Sequence, residues 1–128
     1  MIQRYRAFYE GKMYGVKAVI WTSRGLYVTL DEGNKAGRRV RGAKLMQSTG
    51  LFDKNGKEIF EGDVIRVNYT DDDSPWTDAI IWSPKDCAWY LKSNKELLGF
   101  AMDEPDIIVE VIGNIYENPE LVGALNDS

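Results

Sequence analysis

The sequence contains no histidine. That removes the most common general base and the most common transition-metal ligand. A Ser-His-Asp or Cys-His catalytic arrangement is excluded with it. Cysteine occurs once, at Cys87. An intramolecular disulfide and a His/Cys zinc site within one chain are therefore excluded, and a lone thiol fits a reducing cytoplasm. No apolar run approaches the roughly 18 residues that a membrane-spanning helix needs. The basic start around Arg4 and Arg6 is followed by no apolar leader stretch, so neither a secretory leader nor a membrane partner is expected. Enzymology would have to rest on carboxylates, lysine or tyrosine. No enzyme activity, metal or cofactor is expected.

What is present is an ordinary globular composition. Apolar residues make up 44% and charged residues 28% of 128 positions, which places the chain among folded domains of single-domain size. The charge is unevenly spread. Residues 1–47 carry ten Lys/Arg against three acids, and residues 48–128 carry six against seventeen. No Lys or Arg follows Lys95. Such a split is either two solvated faces of opposite sign or a source of attraction between neighbouring copies in a head-to-tail oligomer.

Period-2 alternation dominates. Tyr5, Ala7 and Tyr9 share a parity, and Glu10-Gly11-Lys12 reads as a turn. Val19 and Trp21, then Leu26, Val28 and Leu30, flank Ser23-Arg24-Gly25 and predict a hairpin. Residues 33–42 read as a basic, glycine-containing loop. Asp53-Lys54-Asn55-Gly56 and Glu61-Gly62-Asp63 are consecutive turns, followed by a strand carrying Ile65, Val67 and Tyr69. Asp71-Asp72-Asp73-Ser74-Pro75 reads as a polar loop tip. A strand pair is expected around Ser83-Pro84-Lys85-Asp86, and 106–116 is the clearest strand, with burial on both faces. Asn118-Pro119-Glu120 predicts one short C-terminal helical turn. Nothing else has helical periodicity. Short strands punctuated by turns predict an all-β barrel or sandwich of antiparallel strands. A single domain over 1–128 is expected, with a subdomain split near 70–76 as the alternative.

Three ordered segments carry a resemblance. "LMQSTGLFDKNGKEIFEGDVIRV" (45–67), "VIGNIYENPEL" (111–121) and "QRYRAFYEGKMYGV" (3–16) are similar to the central, C-terminal and opening motifs of the YopX-like family of phage and prophage proteins. The resemblance implies a β-rich protein with parts like small SH3-like barrels. It implies self-association into a homo-oligomer, a place in the bacterial host's cytoplasm, and a phage or host protein as partner. It supplies no catalytic residue, since no activity or ligand is established for that family as a class.

The residues suggest four places to look. Lys35, Arg38, Arg39, Arg41 and Lys44 lie within ten positions with no acid among them, and form the one basic patch suited to phosphates. Trp21, Tyr14 or Tyr27 would supply stacking beside it. Nucleic acid is the less favoured partner, because a sequence pI near 4.9 opposes a polyanion at long range. Asp53, Asn55, Glu58, Glu61 and Asp63 hold calcium-type oxygens. The EF-hand spacing fails, however, because Lys57 and Glu58 occupy its fifth and sixth positions. Asp71–Asp73 with Asp78, and Asp103, Glu104 and Asp106, are the remote basis for a metal-dependent nuclease. Trp76, next to Pro75, is the interface aromatic expected to be least buried by the fold, while Trp82 and Trp89 are placed to meet across strands. Cys87 is expected to be a half-buried small apolar residue.

Overall fold

The computed structural model describes residues 4–33 and 36–121. The chain is mainly β, as its alternation requires. It divides into two compact units, Met1–Ser48 and Thr49–Ser128. Residues 70–76, where a split was the alternative, lie inside the second unit, in a two-residue turn and the start of the strand that follows it. Both sheets are antiparallel, and neither closes into a barrel among the described residues.

The first unit contains β1 (Tyr5–Tyr9), β2 (Lys12–Thr22), β3 (Gly25–Asp31), β4 (Arg38–Arg41) and the first half of β5 (Lys44–Phe52), in the order β4-β3-β2-β1-β5. Two tight hairpins build it. Tyr9 faces Lys12 across Glu10-Gly11, and Thr22 faces Gly25 across Ser23-Arg24. The Thr22 hydroxyl fixes the second turn by donating to the Gly25 carbonyl at 2.9 Å and accepting from the Arg24 N–H at 3.1 Å. Inward positions of successive strands converge on a core of Ala7, Val28, Leu30 and Val40, covered by Tyr9, Tyr14 and Leu45.

β4 corrects the sequence reading, which had a loop there. Val40 is its only apolar side chain, and it faces Val28 and is buried. One inward residue flanked by arginines is too short a pattern to show alternation, yet it suffices to add an edge strand. The charged flanks also suit an edge, because they discourage unwanted strand pairing.

The second unit contains the rest of β5, then β6 (Glu58–Phe60), β7 (Asp63–Tyr69), β8 (Asp72–Ser83), β9 (Ala88–Leu91), α1 (Leu98–Met102) and β10 (Ile107–Asn114). Its four-stranded sheet runs β10-β7-β8-β9. Ile59, Ile65, Val67, Ile80, Leu91, Leu98, Ala101 and Val109 form its core. The two predicted turns after β5 are present, and Gly56 and Gly62 adopt φ of 78° and 83°, where a side chain would be strained.

Two further corrections fall here. The aspartate-rich loop tip is confined to Thr70-Asp71, since β8 begins at Asp72. Three β8 residues (73–75) oppose Asn68 alone between the Tyr69–Asp72 and Val67–Trp76 pairs. That bulge tolerates Pro75, which has no N–H to give a ladder. The helix α1 was not anticipated, because five residues are too few to display a helical period. At the C-terminus, 119–121 are helical, as expected, but the Asn118 side chain does not cap that turn. Its Oδ1 instead accepts from the Asn114 N–H at 3.1 Å. No helix among the described residues is long and apolar enough to cross a membrane.

Candidate functional site

The basic residues occupy strand positions that send them to different faces. Lys35 lies outside the described residues, Arg38, Arg39 and Arg41 are on β4, and Lys44 opens β5. Arg38 shares the Leu30 face, while Arg39 and Arg41 share the opposite face with Thr29 and Tyr27. Arg38 is heavily engaged. Its guanidinium meets Glu32 at 2.7 Å, donates to the Tyr14 hydroxyl at 3.3 Å, and lies over the rings of Tyr9 and Tyr14 at 5.6 and 5.8 Å. Burial alone would lower its pKa, but the Glu32 charge and hydrogen bond, with smaller help from the tyrosines, raise it. Arg41 donates to the Arg24 carbonyl at 2.7 Å and sits 5.9 Å over Tyr27. Arg39 and Lys44 have no side-chain partner among the described residues. Trp21 is on the Leu26 face, away from Arg39 and Arg41, so the indole and the Arg39 cation do not share one surface.

The acidic residues are largely structural. Asp53 accepts from the N–H groups of Asn55 (2.9 Å), Lys57 (2.8 Å) and Val111 (2.9 Å). Burial pushes its carboxyl pKa up, but these three hydrogen bonds, with the Lys57 charge, outweigh burial and hold it below the usual aspartate range. Asp63 is fully buried and accepts from the Phe60 N–H at 2.8 Å. Asp78 is also fully buried. It accepts from the N–H groups of Ala79 and Ser93 and from the Ser93 hydroxyl. These carboxylates are thus engaged by the protein's own donors. No group of three or more Asp, Glu or Cys suited to a metal ion occurs among the described residues.

Glu104 belongs to a different chain of contacts. It accepts from the Tyr69 hydroxyl and hydrogen-bonds Glu96. The hydrogen bond to Glu104, then burial and the surrounding negative charge, push the Tyr69 phenol up to about 12. Burial first, and Glu104 second, raise the Glu96 carboxyl.

A group of aromatic residues, Trp76, Trp82, Trp89, Tyr90 and Phe100, sits in the second unit on β8, β9 and α1. Trp76 is not on a loop. It lies on β8, half-buried, packed on the core with its ring 5.9 Å from Tyr69. Trp82 and Trp89 face each other across β8 and β9 with centroids 4.7 Å apart and planes at 55°, as their sequence positions suggested. Each lines a separate hollow. Trp82, Pro84, Asp86, Tyr90 and Lys95 border one of about 490 Å³. There the Ser83 hydroxyl donates to Asp86 at 3.1 Å, and burial, then the Asp86 charge, raise the Tyr90 pKa. Cys87 lies in the adjoining turn, exposed rather than half-buried, at φ 50°. The second hollow, also about 490 Å³, is apolar and is lined by Leu51, Trp89, Leu97, Leu98, Phe100 and Asp103. Phe100 is 68% exposed at its rim. Sequence reasoning missed this groove because α1, which builds one wall, gave no periodic signal. The clue available was the dense apolar run 97–102 lying outside any strand pattern.

A family model described as YopX protein matches residues 4–123. Two solved structures share the fold. Protein EF1440 from Enterococcus faecalis is 25% identical, with 95% of this chain and 99% of that chain covered at a TM-score of 0.71. Protein yopX from Bacillus subtilis is 22% identical, with 92% and 96% covered at a TM-score of 0.67, and at that identity the likeness is one of fold alone. A comparison with curated proteins finds no match.

Proposed function

This chain belongs to the YopX family, and on that footing we propose that it is a non-catalytic, self-associating binding module, an accessory protein acting in a bacterial host's cytoplasm. The observation that carries this reading is where the charge changes sign. The boundary between the compact units falls between Ser48 and Thr49. Residues up to Ser48 hold ten Lys/Arg and three acids, and those from Thr49 hold six and seventeen. The cationic and anionic parts of the sequence are thus separate structural units. Copies that meet basic unit to acidic unit gain attraction, and copies that meet like to like are repelled. Engagement of Asp53, Asp63 and Asp78 by backbone and serine donors supports a structural use of the carboxylates in place of a catalytic one.

Light scattering at low and high salt tests this reading. Assemblies larger than one chain that shrink as salt rises are expected. A strict monomer at high protein concentration and low salt overturns it.

A second reading, nucleic-acid binding by the basic segment, is favoured by Arg39, an unpartnered cation on an edge strand, diagonal to Tyr27. Fluorescence anisotropy with labelled single- and double-stranded DNA and RNA tests it. Binding that survives Arg39→Ala with Lys44→Ala ends it.

A further inference from the structure

We propose that self-association is made by Trp21 of one copy entering the groove between β9 and α1 of the next. This inference rests on the self-associating reading above and names the surfaces that would carry it.

Trp21 is 68% exposed at the end of β2, beside the Ser23-Arg24 turn. An indole is among the most costly side chains to leave in water and the most productive to bury at an interface, where it removes roughly 150–250 Å². Arg24, three residues on, gives its carbonyl to Arg41, but its guanidinium has no partner among the described residues. No acid occurs between Glu10 and Asp31, so this hairpin end presents an apolar ring in a cationic setting.

The groove offers the complement. It holds about 490 Å³ and is walled by Leu51, Trp89, Leu97 and Leu98, a size within the usual range of roughly 300–1,000 Å³ for occupied pockets. At its rim stand Phe100, as exposed as Trp21, and Asp103, whose carboxylate has no partner among the described residues. Glu96, Glu104 and Asp106 lie in the same segment, and no cation follows Lys95. A ring flanked by arginine thus matches an apolar slot flanked by aspartate. The occupant fits as a second copy of this chain because its own basic unit carries the ring and the matching charge. Such a contact joins two different surfaces, so it propagates head to tail into a ring or an open chain.

The test uses two full-length variants. Trp21→Ala removes the ring and leaves the groove. Gly99→Tyr fills the groove and leaves the ring, at a position where an added Cβ meets nothing within 4 Å. Circular dichroism confirms that both are folded. In sedimentation velocity each alone is expected to associate at least about tenfold more weakly than the wild type. An equimolar mixture is expected to form one-to-one dimers and stop there, because the remaining surfaces no longer match. If either variant alone assembles as tightly as the wild type, or the mixture forms no dimer, the docking inference is overturned while self-association stands. A monomeric wild type overturns the self-associating reading itself.

Discussion

The carboxylate of Asp53 accepts a hydrogen bond from the Val111 N–H at 2.9 Å, across 58 residues of sequence. Around it, the Lys54 N–H donates to the Val109 carbonyl at 2.9 Å, and the Lys54 ammonium lies 3.3 Å from Glu110. The Ile115 N–H donates to the Gly62 carbonyl at 2.9 Å. Two segments that carry the family resemblance, 45–67 and 111–121, are therefore two sides of one seam. The turn-rich motif resembles an ion site because it is rich in oxygen acceptors, and those acceptors are spent on the backbone.

Removing the Asp53 acceptor leaves three N–H groups without their partner. Asp53→Ala is expected to cost about 2–4 kcal/mol in chemical denaturation, since hydrogen bonds to a charged group contribute more than neutral ones. The pH dependence has a definite sign. A carboxylate held below its usual pKa stabilises the fold above the unfolded value, and that contribution is lost as pH falls through the folded value. The gap between wild type and Asp53→Ala should be full at neutral pH and begin to close below about pH 4. A gap unchanged down to strongly acidic pH would contradict this.

Gly113 sits at the β10 bulge, against Asn118. A Cβ there would lie 2.4 Å from Asn118 Oδ1 and 2.7 Å from its Cγ. Gly113→Ala must displace the side chain that accepts from the Asn114 N–H, and is expected to cost about 1–3 kcal/mol. In an Asn118→Ala background the two closest atoms are gone and only the Cβ contact at 3.1 Å remains, so the cost of the alanine should shrink. Thermal unfolding of the four proteins in this cycle checks it, and strict additivity would refute it.

Much of this fold is legible in the sequence where local chemistry and burial agree. The hairpin at Ser23-Arg24, the Asn55-Gly56 turn, the β7 alternation and the Trp82–Trp89 pairing all follow from turn residues beside period-2 runs. The failures have physical causes. β4 holds only one inward side chain, Val40, so its alternation has nothing to repeat. The first residues of β8 look like a loop because a bulge accepts what a regular ladder would reject. The same polar run predicts an exposed Trp76, whereas its pairing opposite Val67 carries it onto the core. The β9–α1 groove depends on Leu51, Trp89 and Phe100 meeting across long separations, which no local pattern encodes.

Trp82 and Trp89 have centroids 4.7 Å apart, close enough for their rings to interact directly. A double-mutant cycle through Trp82→Ala and Trp89→Ala should return a coupling of about 0.5–1.5 kcal/mol beyond the separate burial terms. Either variant alone should also remove the exciton couplet that two coupled indoles add to the far-ultraviolet circular dichroism spectrum, because that signal needs both rings. Zero coupling with an intact spectrum would show that the rings do not interact in solution.

Tyr69 offers an alkaline test of the Glu104 contact. The neutral phenol donates to Glu104, and that hydrogen bond, with burial and nearby negative charge, pushes its pKa up to about 12. An unfolded chain ionises its tyrosines near pH 10. Above that pH the unfolded state releases this proton first, so stability is lost progressively between about 10 and 12. Tyr69→Phe is expected to be spared that part of the alkaline loss. Subtracting its ultraviolet titration from that of the wild type isolates Tyr69, and the difference should have its midpoint near 12. Glu104→Gln removes the acceptor's charge and should bring the midpoint down toward the ordinary tyrosine value. A wild-type difference curve already centred there would show that the Tyr69–Glu104 hydrogen bond does not hold the proton.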